Sequence, residues 1–115
     1  QKVLYLKNLA HAFINDELKI NFWNNMSNEE IITDLIKIKG IGKWTAEMFL
    51  IFNLCRADIF PLDDIGMIKA VCKIYNLDYP IKKTELINIG NKWRPYRSVA
   101  TWYLWRSLDP IPVEY

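Results

Sequence analysis

Two adjacent carboxylates, Asp63 and Asp64, end a loop that follows a pair of glycines, Gly40 and Gly42, set between Lys39 and Lys43. Each part has a chemistry of its own. A tight turn at Lys39-Gly40-Ile41-Gly42-Lys43 would aim the first N–H groups of the next helix, and its partial positive charge, at an anion. The lysines would add charge, and the missing Cβ atoms would let a phosphate approach the backbone. The plainer reading is a helix–helix turn, with glycine supplying a positive φ and Ile41 plugging the core. The aspartates also admit two readings. They can cap the helix that starts at Ile65, which is the reading preferred for Asp63. Or one of them can stabilise positive charge that develops in a reaction.

The surrounding elements all read as helices. Val3, Leu6, Leu9, Ala10 and Phe13 recur at helical spacing, and Asn15 and Asp16 end that pattern. A short helix is expected around Leu18 to Trp23. Ser27 and Glu30 form a capping box before a helix carrying Ile31, Ile32, Leu35 and Ile38, which Gly40 ends. Trp44 to Leu54 is apolar almost all round and suits the middle of a bundle. After the Pro61 loop comes a helix with Ile65, Ile68, Val71, Cys72 and Tyr75 on its pattern. Another starts at Thr84 and runs to about Lys92. Pro95 suits the first turn of the last helix, with Val99, Ala100, Tyr103 and Leu104 on one face and Asp109, Pro110 and Pro112 as its stop. Nothing alternates with a two-residue period, so the expected fold class is all-α, a compact helical bundle of five to seven helices.

Composition narrows the chemistry. Just over half of the 115 residues are hydrophobic, enough for a core in one domain. A net charge of +2 is too mild to argue for nucleic acid, so any electrostatic grip must be local. Cys55, Cys72 and His11 are the only thiols and imidazole, too few for a Cys/His zinc site or a four-cysteine iron–sulfur cluster. Both thiols sit in apolar surroundings and read as buried and reduced, and His11 reads as a surface residue. No signal peptide or membrane-spanning run is visible. Trp23, Trp93 and Trp102 read as core. Lys69 and Lys73 read as a solvated face, and Arg94 and Arg97 either reach a phosphate or tie helices together.

Three stretches carry a resemblance. Ile38–Phe52, IKGIGKWTAEMFLIF, is similar to the helix-hairpin-helix of the DNA glycosylase superfamily that also has a Gly/Pro-rich loop and an aspartate. Phe60–Asp64, FPLDD, lies where that family keeps its Pro-x-Asp segment. Trp93–Trp105, WRPYRSVATWYLW, resembles the last helix of the 3-methyladenine DNA glycosylase II branch. The resemblance implies the C-terminal portion of that fold over residues 1–115, with the hairpin at 29–54, the catalytic loop at 58–64 and C-terminal helices at 65–108. It implies a catalytic Asp64, a base pocket lined by Trp44 and Trp105, and phosphate contacts from Lys39, Gly40, Ile41, Gly42, Lys43 and Thr45. Lys39 stands where the family commonly has proline. Trp44 occupies the position of the lysine nucleophile of strand-cutting relatives, so the implied enzyme is a monofunctional hydrolase.

The implied partner is double-stranded DNA bearing an alkylated base, in base excision repair. No cofactor is implied beyond a monovalent cation at the hairpin carbonyls, which relatives hold and this sequence leaves open. No membrane partner is expected, and the implied location is the bacterial cytoplasm or a nucleus. The family's N-terminal half, which supplies the side chain that wedges into the duplex, has no counterpart in these residues. Helices that would pack on it are expected to expose apolar surface, which favours self-association or a partner. A noncatalytic DNA-binding module and a purely structural helical domain are the rival readings.

Overall fold

The computed structural model describes residues 1–109. Among them it has six α-helices, one 3₁₀ helix and no strand. The chain divides into two units, Gln1–Leu54 and the part from Cys55 onward. Pro110 and Pro112 lie outside the described residues.

The first unit holds α1 (Lys2–Ile14), the 3₁₀ helix (Ile20–Asn25), α2 (Asn28–Leu35) and α3 (Lys43–Phe52). The capping box forms as expected: Glu30 N–H donates to Ser27 Oγ at 3.1 Å, and Ser27 N–H donates to Glu30 Oε1 at 3.0 Å. Asp34 ties the 3₁₀ helix to α2. Its Oδ2 accepts the Lys19 N–H at 2.8 Å and the Trp23 indole N–H at 3.1 Å, and Lys37 Nζ stands 3.5 Å from Oδ1. Burial opposes charge on Asp34, but these donors outweigh it and hold the carboxyl below its ordinary pKa. Trp23 is buried, as expected, and packs edge-on against Phe49.

Two expectations fail here. Helix α2 ends at Leu35 rather than Gly40, because i→i+3 turns (Ile38 N–H to Leu35 O, Ile41 N–H to Ile38 O) replace its last turn and bury Ile38. Helix α3 is not buried all round. Ala46, Glu47 and Leu50 face inward at one-turn spacing, which leaves Trp44 and Phe52 48% and 62% exposed.

The second unit holds α4 (Ile65–Ile74), α5 (Lys83–Asn91) and α6 (Arg97–Ser107). Its core joins Phe60, Met67, Ala70, Val71, Leu86, Ile89 and Leu104. Phe60 lies so close to Gly90 that a Cβ there would sit 2.4 Å from its ring. The buried face of α6 is Ser98, Thr101 and Leu104; Leu104 is buried as expected, whereas Val99 and Tyr103 are exposed. Hydrogen bonding explains the difference, since Thr101 Oγ1 donates to Arg97 O at 2.7 Å and Ser98 is fully engaged by the preceding loop. Pro95 lies before the helix, after a cis Arg94–Pro95 bond, rather than in its first turn. Trp93 is half-buried, but Trp102 is exposed rather than core, edge-on to Tyr103 and under Arg106. Cys72 is buried and Cys55 exposed, which corrects the expectation for Cys55.

Candidate functional site

Candidate residues lie in each of the two units. In the first unit the turn after α2 passes through Gly40 at φ +105°, a conformation that L side chains rarely adopt. Tyr5 of α1 lies directly on this glycine. A Cβ at position 40 would meet its ring 2.2 Å away, so glycine is required twice over.

Gly42 differs. Its backbone is extended (φ −93°, ψ 176°), a conformation any residue adopts, and nothing stands within 4 Å of where its Cβ would be. The missing side chain matters there for access, not for conformation. Gly42 caps α3 without a side-chain hydrogen bond, so the cap residue itself does not compete with an anion at that helix end. Lys39, Gly40, Gly42, Lys43 and Thr45 are exposed. Ile41 is half-buried and helps line an apolar cavity of about 150 Å³ with Leu9, Phe13 and Phe49. The Leu35 and Ile38 carbonyls accept N–H groups of the turn. Among the described residues, no three His, Cys, Asp or Glu side chains converge on a metal position.

In the second unit Asp64 is the N-cap of α4. Its Oδ1 accepts the Met67 N–H at 2.7 Å and the Trp105 indole N–H at 2.9 Å, and the residue is 8% exposed. The carboxylate is therefore fixed by two N–H donors, one from its own helix and one from α6. Gly66 stands beside it: a Cβ there would lie 3.3 Å from Asp64 Oδ1 and 3.7 Å from Trp105 Cδ1. Asp63 is not the cap that its position suggests. It is exposed, and Lys83 Nζ is 3.9 Å from its Oδ1. The turn closed by Asp64 N–H to Pro61 O leaves the second aspartate, in extended conformation, to reach the helix end.

The structure thus brings Asp64 and Trp105 together. Trp44, half exposed, belongs to the first unit with the hairpin residues. The choice left open for Arg94 and Arg97 is resolved toward tying. Both engage Asp58, with Arg97 Nε donating to Oδ1 at 2.7 Å and Arg94 Nη1 to Oδ2 at 3.4 Å. His11 is exposed, as are Lys69 and Lys73, and Lys69 stands over the Tyr79 ring. Sequence reasoning missed Asp58, Ser98 and Tyr5. Their partners lie 35 or more positions away, and no local pattern marks them.

No family model matches the chain. Its relatives are nonetheless clear. It is 36% identical over 108 residues to DNA-3-methyladenine glycosylase 1 of Schizosaccharomyces pombe, which covers 93% of this chain and 47% of that protein. The solved structure of S. pombe 3-methyladenine DNA glycosylase Mag1 in complex with abasic DNA matches with a TM-score of 0.81 at 36% identity, over 90% of this chain and 50% of that one. The crystal structure of a DNA-3-methyladenine glycosidase from Bacillus halodurans matches with a TM-score of 0.82 at 33% identity, over 92% and 49%. The chain spans about half the length of these relatives.

Proposed function

We propose, because this chain belongs over the stretch it spans to the 3-methyladenine branch of the helix-hairpin-helix DNA glycosylases, that it carries the hairpin anchor and the catalytic carboxylate of a monofunctional hydrolase that removes alkylated purines from duplex DNA. The observation that carries the reading is Asp64, nearly buried and held by two N–H donors beside an indole edge.

A purine methylated at N3 or N7 is cationic and leaves readily. As the C1′–N9 bond breaks, its electron pair neutralises the base and positive charge develops on the sugar. The Asp64 carboxylate opposes that charge in a site of low exposure and orients the water that attacks C1′. The proton lost from the water passes to solvent, and an abasic site remains. The ring face of Trp105, beside Asp64, offers an indole to the flipped base. Stacking contributes about 1–3 kcal/mol per base, and a cationic base adds about 0.5–2 kcal/mol. These terms offset the few kcal/mol that unstacking costs. Backbone N–H groups at Gly42 and the first turn of α3, with Lys39 and Lys43, hold the DNA phosphates. The half of the relatives' length that this chain does not span belongs to the proposal as a part supplied in cis, in trans or by self-association.

Asp64→Asn should lower single-turnover excision from methylated duplex by roughly 10²–10³-fold, about 3–4 kcal/mol, while affinity for abasic duplex stays unchanged. An undiminished rate would refute the assignment. One observation favours a second reading: Asp64 caps its own helix. In a noncatalytic DNA-binding module the capping bond would be its whole purpose, and the protein carrying this chain would bind duplex with a steep salt dependence but excise nothing.

A further inference from the structure

One helix holds the loop of Asp64 at two places. At the loop's start, Ser98 in the first turn of α6 donates its N–H to Ala57 O at 2.8 Å and its Oγ–H to Arg56 O at 2.5 Å, and it accepts the Ile59 N–H at 2.8 Å. Between these contacts Asp58 closes on Arg97. Its Oδ1 accepts Nε at 2.7 Å and the backbone N–H at 3.2 Å, and its Oδ2 accepts Nη2 at 3.1 Å. Asp58 thereby caps α6 from 39 positions away, and the Arg97 guanidinium holds its carboxyl below the ordinary carboxylate range. At the loop's end, Trp105, two turns further along α6, donates to Asp64. Phe60 and Pro61 are buried between the two attachments.

We propose that Asp58 is a positioning residue for the glycosylase reaction: by closing on Arg97 it sets the loop 58–64 along α6, so that the Asp64 carboxylate and the Trp105 indole N–H meet in the register that catalysis uses. The inference rests on the reading of Asp64 as the catalytic group. Two readouts separate this role from plain stabilisation. Removing one partner from an ion pair whose side chains are only 16% and 25% exposed costs stability as well, a loss that urea unfolding reads separately from the rate. A misplacement of about 1 Å at a reacting group, in contrast, can cost roughly 10²-fold in rate.

The test uses Asp58→Ala, Asp58→Asn and Arg97→Lys. The Trp105 indole N–H resonance, identified by its loss in Trp105→Phe, is read without DNA. Single-turnover excision and affinity for abasic duplex are then measured. In Asp58→Ala the indole resonance should move and its hydrogen exchange quicken. Excision should fall about tenfold to hundredfold with duplex affinity unchanged. Asp58→Asn, which keeps an acceptor for the Arg97 N–H, should recover part of the rate. An unmoved resonance and rate in Asp58→Ala, or a rate loss matched by an equal loss of affinity, would overturn the proposal. If Asp58→Ala does not fold, Arg97→Lys, which loses the two-pronged contact, must show the same resonance change or the proposal falls. Because the resonance needs no substrate, a shift accompanied by no excision from the complete protein that carries this chain would support the positioning geometry while refuting the catalytic reading of Asp64. An active parent with an unmoved resonance in the variants refutes the positioning.

Discussion

The hairpin and the carboxylate loop solve different problems with different contacts. The hairpin is assembled from neighbours in sequence: two i→i+3 turns, one left-handed glycine and one open glycine, with Tyr5 as its distant support. The loop of Asp64 is tied to partners 36 to 42 positions away on α6 and the turn before it. A phosphate is recognised through backbone N–H groups and charge, which a short segment can present alone. A carboxylate proposed to act on one sugar atom needs a fixed direction, and Asp64 takes its direction from one donor on its own helix and one on α6.

Variants can break this contrast. The largest effect is expected at Asp64→Asn, where rate falls and affinity does not; its neighbour Asp63→Asn should change stability by less than about 0.5 kcal/mol and leave the rate alone. Equal effects at the two aspartates would erase the distinction between a fixed and a solvated carboxylate. Next is Gly40→Ala, which forces a methyl into Tyr5 at a positive φ. Urea unfolding should show a loss of about 1–3 kcal/mol, and a smaller loss in a Tyr5→Ala background; identical losses would mean that Tyr5 does not shape the turn.

Asp34 sharpens the comparison through pH. Its folded pKa is depressed, so its contribution is present above the unfolded carboxylate value and is lost as pH falls through the lower folded value. Asp34→Asn should therefore be less stable at neutral pH, by roughly 1–3 kcal/mol, and the gap should narrow under acid. A gap that is flat from pH 7 to acid would show that charge on Asp34 is not what ties the 3₁₀ helix. The smallest effects belong to Lys39→Ala and Lys43→Ala. Each should reduce the salt dependence of duplex binding by about one unit of slope without altering single-turnover excision at saturating protein.

Legibility followed the same division. The capping box and the glycine turn were readable because neighbouring residues decide them. The all-helical class was readable because each stretch shows its own apolar period. The role of Asp63 was misread because both aspartates satisfy a capping pattern, and the Pro61 turn decides which one reaches the helix. The buried face of α6 was misread because Ser98 and Thr101 enter the core through hydrogen bonds, which an apolar period does not register. Asp58 was invisible. A lone aspartate acquires its meaning from an arginine 39 residues on.

Gly66 has one more consequence. It stands a single carbon's width from both the Asp64 oxygen and the indole edge. Wetting of that carboxylate is thus adjustable by one methyl at a position that donates nothing to it from a side chain. Glycine leaves a niche there, whereas an alanine methyl 3.3 Å from Oδ1 would make the carboxylate give by a few tenths of an ångström, so solvent access and carboxylate orientation change together.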